Sequence, residues 1–362
     1  MKNTLLLVFL FLFQLVNAQD SLPKKDSSLF SVRGYIDAYY GLHSDPTTSK
    51  RVPYFVTSNA NNQININVAF IELAYTSKRV RAKLTPGFGS YFNENYSNET
   101  ATFKHLMEAW AGVKLFKQKD IWLDAGILPS PYTNETTISK DHICYTRALA
   151  GEYVPYYLMG AKLSVPVGKK WMLYAAYYNG WQQITDLNNK PAGGIQAEFR
   201  PNDKHLINLD AYAGDEQSVF NPSYRNRYFV DAYWLYNMNG KWSASACAYF
   251  GTQQMVQQSA FEKNWFQINA AVRYTTKQAW SFGLRSEYFS DENSVLLPNS
   301  NNGLATTALF SNTLSLGKAI QNNALVRLEG RQFIAPNKVF GTTQNSNSAY
   351  WVCLSLAVWL QK

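Results

Sequence analysis

From Ser31 onward the chain alternates apolar and polar side chains in segment after segment, and this period of two constrains the fold more than any other feature. In 31–42, Val32, Gly34, Ile36, Ala38, Tyr40 and Leu42 fall on one side, and Arg33, Tyr35, Asp37 and Tyr39 on the other. Successive side chains of a strand point to opposite faces, so the segment predicts a strand with one apolar and one polar wall. The pattern returns in Val80/Ala82/Leu84 against Arg79/Arg81/Lys83, and in Met107/Ala109/Ala111/Val113 against Glu108/Trp110/Lys114. It returns again in Leu123/Ala125/Ile127 and in Val326/Leu328 against Arg327/Glu329/Arg331. The last stretch sets Tyr350, Val352, Leu354, Leu356, Val358 and Leu360 together. One segment breaks phase. Ile64, Ile66 and Val68 share a face until Ile71, Leu73 and Tyr75 take it over, which predicts a β-bulge near Ala69.

The connections carry a second signal. Short turns near 76–79, 117–120, 167–170, 200–204, 238–241, 275–278 and 317–323 alternate with eight longer polar stretches. In outer-membrane barrels the short turns are periplasmic and the long loops extracellular. Eight long and seven short connections predict about sixteen antiparallel strands in an up-and-down transmembrane β-barrel around a polar, water-filled lumen. A soluble sandwich or lipocalin-like barrel also alternates. Its continuously apolar faces would need a second layer, and no linker of changed composition divides this chain. Many strands also carry Tyr, Trp or Phe near an end, as expected of aromatic girdles at the two interfaces.

Composition agrees. Charged residues make up 16% of the 362 residues, against roughly 25% in a soluble domain, while aromatics reach 15%. A mean hydropathy of −0.28 excludes a helical membrane protein but suits a wall that alternates between lipid and lumen. Lys2, the apolar run Leu5 to Phe13 and Val16-Asn17-Ala18 before Gln19 read as a secretory signal peptide. The expected organisation is a signal peptide at 1–18, a periplasmic segment at 19–30 and the barrel at 31–362, exported to a Gram-negative outer membrane. Cys144, Cys247 and Cys353 form no CxxC pair and their number is odd, so they read as small wall or core residues.

A charge on the lipid face costs about 2–4 kcal/mol at the midplane for Lys or Arg, so ionic residues within strands should face the lumen. That rule selects Arg33, Asp37, Arg81, Lys83, Glu108, Asp124, Arg285, Glu287, Arg327, Glu329 and Arg331. Both signs are present, and a structural ladder of salt bridges is the simpler reading of them. The net charge of +9 leaves room for at most a weak preference for anions. The longest connection, Pro129–Pro155, carries Asp141, Arg147 and Glu152, and a loop folded inward is what could narrow so wide a barrel. Whether it constricts the lumen or lies on the surface is open at this stage. Catalysis has little support: His43, His105, His142 and His205 are scattered, and no HExxH, GxSxG or phosphate-binding loop stands in a fitting context. No metal, cofactor or nucleic-acid partner is implied, since the basic residues are dispersed.

Several stretches carry a family likeness. Gly34-Tyr35-Ile36-Asp37-Ala38-Tyr39-Tyr40 opens the first strand, and Asn65-Ile66-Asn67-Val68-Ala69-Phe70 the second. Glu108-Ala109-Trp110-Ala111-Gly112-Val113-Lys114 is followed by Asp124-Ala125-Gly126-Ile127, then Arg147, Pro155-Tyr156-Tyr157 and Asn179-Gly180-Trp181-Gln182. Together these resemble the β-barrel porin-2 (OmpL-like) family of Bacteroidetes outer-membrane proteins. The sequence departs from the pattern at 141–149, and it ends Leu360-Gln361-Lys362 instead of on an aromatic. The resemblance implies a presumed diffusion channel for small polar solutes embedded in the outer-membrane bilayer, with no catalytic residues to carry over. The alternative is a narrow or plugged barrel acting as a structural, adhesion or complex-partner protein through its long loops. A homo-oligomer is compatible with either.

Overall fold

The computed structural model describes residues 29–361 except 47, 49, 53, 257–262, 298–307 and 342–344. The signal peptide and most of the segment expected after it therefore lie outside the described residues. Sixteen strands follow one another: β1 (Leu29–His43), β2 (Ile64–Thr76), β3 (Val80–Phe88), β4 (Leu106–Lys114), β5 (Trp122–Pro129), β6 (Tyr157–Val167), β7 (Trp171–Tyr178) and β8 (Ala192–Phe199). The second half is β9 (His205–Asp215), β10 (Tyr224–Tyr236), β11 (Trp242–Met255), β12 (Lys263–Thr275), β13 (Trp280–Ser290), β14 (Ala308–Ile320), β15 (Ala324–Ile334) and β16 (Ser348–Gln361). Each pairs antiparallel with its neighbours in sequence, and β1 pairs with β16 to close the barrel. Closure leaves no open edge, so the wall's backbone polar groups find partners within it, as a bilayer demands. The first strand is described from Leu29 onward.

The alternation seen in the sequence becomes the two faces of this wall. Ile36, Leu42, Leu209, Ile268, Phe282, Leu314 and Leu354 point outward and are exposed, while Asp37, Glu287, Arg285 and Glu329 point inward and are buried. Outward aromatics gather toward both rims. Trp171 stacks on Phe199 at the short-turn rim, with Trp242 beside Tyr274, and Phe266 packs on Tyr288 toward the other.

Register shifts at three places adjust the phase, one of them between Tyr224 and Arg227 on β10. The register of β1 on β2 jumps from Asp37↔Val68 to Ala38↔Ile66, leaving Asn67 as the extra residue, two positions before the expected site. Asn67 and Val68 both become buried, so the apolar positions before and after the bulge regain the outer face. Another skips Met107 between Thr85↔Glu108 and Pro86↔Leu106. Met107 and Ile127 were expected on the outer apolar wall. They are instead buried with Tyr91, Phe92, Tyr96 and Tyr157, because the connection carrying helix α1 (Ser90–Asn95) folds back onto them.

The expectation of a polar, water-filled lumen needs a larger correction. Many inward positions of the longer strands are aromatic: Tyr39, Phe229, Tyr249, Trp265, Phe289, Phe333 and Trp351 are all buried. They pack with loop residues Tyr54, Phe55, Tyr145, Leu149 and Phe340 into one apolar cluster. So not all strand-end aromatics are girdle residues. Those on the lumen side of the long-loop half form an internal core. Gly251, the register partner of Trp265, is a glycine for this reason, since a Cβ there would lie 2.1 Å from the indole ring.

Candidate functional site

The longest connection, L3 (residues 130–156), leaves the rim after β5 and crosses the lumen to the far wall. It holds a short 3-10 turn at Ser139–Asp141 and one turn of helix, α2 (Leu149–Glu152). Its residues from Ile143 to Tyr156 are buried. A backbone so placed must find partners for its amides and carbonyls, and here the wall's charged side chains provide them.

Glu329 on β15 accepts the backbone N–H of Tyr145 and of Thr146 and the Thr146 hydroxyl. Glu287 on β13 accepts the Leu149 N–H, and Arg331 on β15 donates to Glu287 at 2.6 Å and to the Arg147 carbonyl. Arg285 donates to the Thr146 carbonyl and lies 3.3 Å from Glu135. Arg327 donates to the carbonyls of Cys144 and Ser139. Farther round, Asp231 on β10 accepts the Thr133 N–H, and Asn134 donates to Ser245 and Asn269. Tyr35 on β1 meets Ser139 at 3.0 Å. The loop is thus pinned to β1 and to the arc from β10 to β15. Hydrogen bonds to charged partners are about twice as strong as neutral ones, so this seat is firm.

Within L3, Glu152 accepts the N–H groups of Val56 and Thr57, tying the first long connection to the third. Burial raises the Glu152 carboxyl, and Arg147 and those hydrogen bonds oppose it. Burial acts the same way on Glu135, but Arg285, His142, the Ala148 N–H and Arg147 outweigh it and hold that carboxyl below its ordinary value. His142 is pushed down to about 4, by burial first and by Arg147 and Arg327 beside it, with Glu135 pulling the other way. Arg147 lies 4.1 Å over the Tyr156 ring and donates to the Glu135 carbonyl.

The opposite wall carries a ladder of ion pairs. Arg33 bonds its direct cross-strand partner Glu72 at 2.6 Å, and Lys83 lies 3.4 Å from both Glu72 and Glu108. Arg81 holds Asp124 with two hydrogen bonds. Asp37 is fully buried and accepts from Asn67. Apart from Asp37, the sequence-selected residues therefore fall into three groups. Arg33, Arg81, Lys83, Glu108 and Asp124 line one wall. Arg285, Glu287, Arg327, Glu329 and Arg331 anchor the loop. Arg147 and Glu152 lie in the loop itself, whereas Asp141 is half exposed and paired with Lys140. Missing from the sequence-based selection were Thr146, Ser139 and the loop carbonyls that receive the arginines, and no local pattern marks them. Among the described residues no group of His, Cys, Asp and Glu could hold a metal ion.

Open space lies along the wall that L3 leaves free. A cavity of about 380 Å³ runs from Asp120 and Trp122 past Arg81 and Glu108 to Lys162 and Tyr174. It shares Glu108, Pro129, Lys162 and Tyr174 with a cavity of about 340 Å³ that reaches Thr136, Arg147, Tyr156 and Glu198. A third, of about 230 Å³, opens among the long loops beside Trp181, Gln182, Glu216 and Arg227. Between the second and third, Tyr132 stacks on Trp181 at 5.9 Å and the Tyr156 N–H donates to Gln182.

Comparison with known proteins agrees with this geometry. Residues 30–360 match the family model described as "Putative beta-barrel porin-2, OmpL-like". No curated protein sequence matches the chain. Among solved structures, the anion-selective porin from Comamonas acidovorans superposes with a TM-score of 0.61 at 8% identity, covering 92% of this chain and 100% of that one. The outer membrane channel DcaP of Acinetobacter baumannii gives 0.60 at 9% identity, over 92% and 97%. OmpT of Vibrio cholerae, in a trimer form, gives 0.57 at 9% identity, over 93% and 100%. At such identities the likeness is one of fold. The family match over nearly the whole chain, on a closed sixteen-stranded wall with apolar outer and charged inner faces, settles the assignment: the chain belongs to the β-barrel porin-2, OmpL-like family and is a porin-like β-barrel of the outer membrane.

Proposed function

We propose that the barrel passes small polar solutes by diffusion along an off-centre path, between L3 and the wall formed by β3 to β9. The observation that carries this reading is the one-sided seat of L3. Its hydrogen bonds to the strands go to β1 and to β10 through β15, and the cavities lie against the other strands. The path narrows where Tyr132 meets Trp181, a contact of side chains and not of strand ladder.

A weak preference for anions belongs to the same proposal. Every carboxylate lining the two inner cavities is ion-paired: Asp120 with Lys114, Asp124 with Arg81, Glu108 with Lys83, Glu135 with Arg285, Asp141 with Lys140 and Glu198 with Arg200. Lys162 and Arg147, which line the same space, have no carboxylate within 4.0 Å among the described residues. The uncompensated charge in these two cavities is therefore positive, while the cavity among the long loops adds Glu99 and Glu216 beside Arg227. The resemblance in fold to a porin described as anion-selective is compatible with this, and at 8% identity adds no more.

Planar-bilayer recordings of the refolded mature protein test the proposal. Stepwise conductance with a reversal potential shifted modestly toward the anion is expected. The plugged, structural barrel is favoured by one observation, the number of charged anchors on L3. Folded protein that inserts and stays silent would establish that reading.

A further inference from the structure

Three long connections and β10 enclose the cavity of about 230 Å³ at the long-loop rim. Glu99 comes from the connection after β3, Trp181 and Gln183 from the one after β7, and Glu216 from the one after β9, while Tyr224 and Arg227 stand on β10. Glu99, Glu216 and Arg227 are each more than nine-tenths buried. On the walls below, Arg331 closes onto Glu287 and Arg81 onto Asp124, each at 2.6 Å. The three charges of the rim cavity form no such pair. Among the described residues, neither carboxylate and no nitrogen of Arg227 has an opposite charge within 4.0 Å.

Neutral groups hold all three in place. Glu99 Oε1 accepts the Tyr157 hydroxyl at 2.9 Å and the Ile184 N–H at 2.8 Å. Glu216 accepts the Tyr212 hydroxyl at 2.5 Å and the Trp181 N–H at 3.3 Å. The Arg227 Nε donates to Gln253 at 2.9 Å, and its Cζ lies 5.0 Å from the Trp181 ring, 5.4 Å from Trp265 and 5.9 Å from Tyr224. Clamped among three rings, the guanidinium presents a fixed fork, and its two terminal nitrogens have no hydrogen-bond partner among the described residues. Glu99 Oε2 has none either, and neither does the buried Oε1 of Gln183 on the same cavity. A buried charge without an opposite partner is costly. The cavity therefore lacks one anion for its guanidinium and one cation for its carboxylates.

We infer that this cavity is a binding site for a small zwitterion, a molecule carrying both an ammonium and a carboxylate, as an amino acid or a short peptide does. The ligand's carboxylate meets the Arg227 fork, which is shaped for two parallel N–H···O bonds, and its ammonium meets Glu99 and Glu216. A simple anion would leave the two carboxylates unmatched, a simple cation would leave the guanidinium unmatched, and a neutral sugar would answer neither. The volume of about 230 Å³ falls below the roughly 300–1,000 Å³ of drug-sized sites, which suits a ligand of this size. The inference concerns binding at the mouth and holds whether or not the lumen conducts.

The test is isothermal titration calorimetry on the mature full-length protein, refolded in mild detergent. The probes are L-alanine and L-alanyl-L-alanine, then propionate (alanine without its ammonium), ethylamine (alanine without its carboxylate) and glucose. A zwitterion is expected to bind at least about tenfold more tightly than propionate, ethylamine or glucose, about 1.4 kcal/mol. The tighter of alanine and alanyl-alanine assigns the site to an amino acid or to a peptide, and either result supports the inference. Arg227→Gln and Glu216→Gln should each weaken that binding at least about tenfold, in protein whose heat-modifiable gel shift shows a folded barrel. Should a variant fail to fold, the probe series on the wild type decides alone. Zwitterions that bind no better than propionate, ethylamine or glucose overturn the inference, and so does undiminished binding by folded Arg227→Gln.

Discussion

Arg81 on β3 reaches across β4 to hold Asp124 on β5, with its Nε and a terminal nitrogen 2.7 and 2.6 Å from the two carboxylate oxygens. The intervening position is Gly112, the register partner of both. A Cβ at Gly112 would stand 2.1 Å from the Asp124 Oδ1, so the pair exists because this position has no side chain. Gly112→Val should break it, and Arg81→Gln should leave a buried carboxylate unmatched. A loss of about 1–3 kcal/mol is expected for Arg81→Gln, read as a lower urea midpoint of the folded band in mild detergent. No shift in the midpoint would show that solvent in the cavity screens the pair.

L3 is held by acceptors that a single substitution removes. Glu329 takes three donors from Tyr145 and Thr146, and Glu329→Gln replaces an anionic acceptor by a neutral amide whose NH₂ faces those donors. The strand ladders around β15 do not depend on that side chain, so the barrel should fold. A higher mean conductance with more frequent current fluctuations is the expected outcome in bilayers. Identical traces for wild type and variant would mean that the loop is held by its apolar packing alone.

His142 supplies a pH dependence whose sign is fixed. Its folded-state pKa of about 4 lies below the ordinary 6.5, so folding favours the neutral imidazole. The stability this contributes is complete above pH 6.5 and is lost as pH falls from there through 4. The charge would arrive beside Arg147 and Arg327, with Arg273 donating to the His142 carbonyl. Acidification across that window should loosen the L3 seat and raise current noise, and His142→Gln should flatten the response. An unchanged acid response in His142→Gln would assign it elsewhere.

The wall was legible in the sequence because its physics is local. Which of Leu314, Ser315 and Leu316 meets lipid depends only on their spacing, and the same holds for Arg327, Leu328 and Glu329. The Asn67 bulge was visible as a phase slip and misplaced by two residues, since periodicity marks the change of face and not the residue that carries it. The seat of L3 was not legible. Thr146 meets Glu329 across 183 residues, a contact that follows from barrel closure and not from any motif near either residue. The aromatic interior was misread for a related reason. Trp265 and Trp351 near strand ends look like girdle residues until the barrel sets their rings on the lumen side, Trp265 over its register partner Gly251 and Trp351, paired with His43, over Gly41.

The off-centre path is tested most directly by thiol accessibility in a conducting channel. Lys162 lines both inner cavities, whereas Ser315 on β14 is buried on the side that L3 covers. In Lys162→Cys, an anionic methanethiosulfonate added to the bath should lower the single-channel current, and in Ser315→Cys it should leave the current unchanged. Block through Ser315→Cys with Lys162→Cys untouched would place the path on the wrong side of the loop and contradict the account.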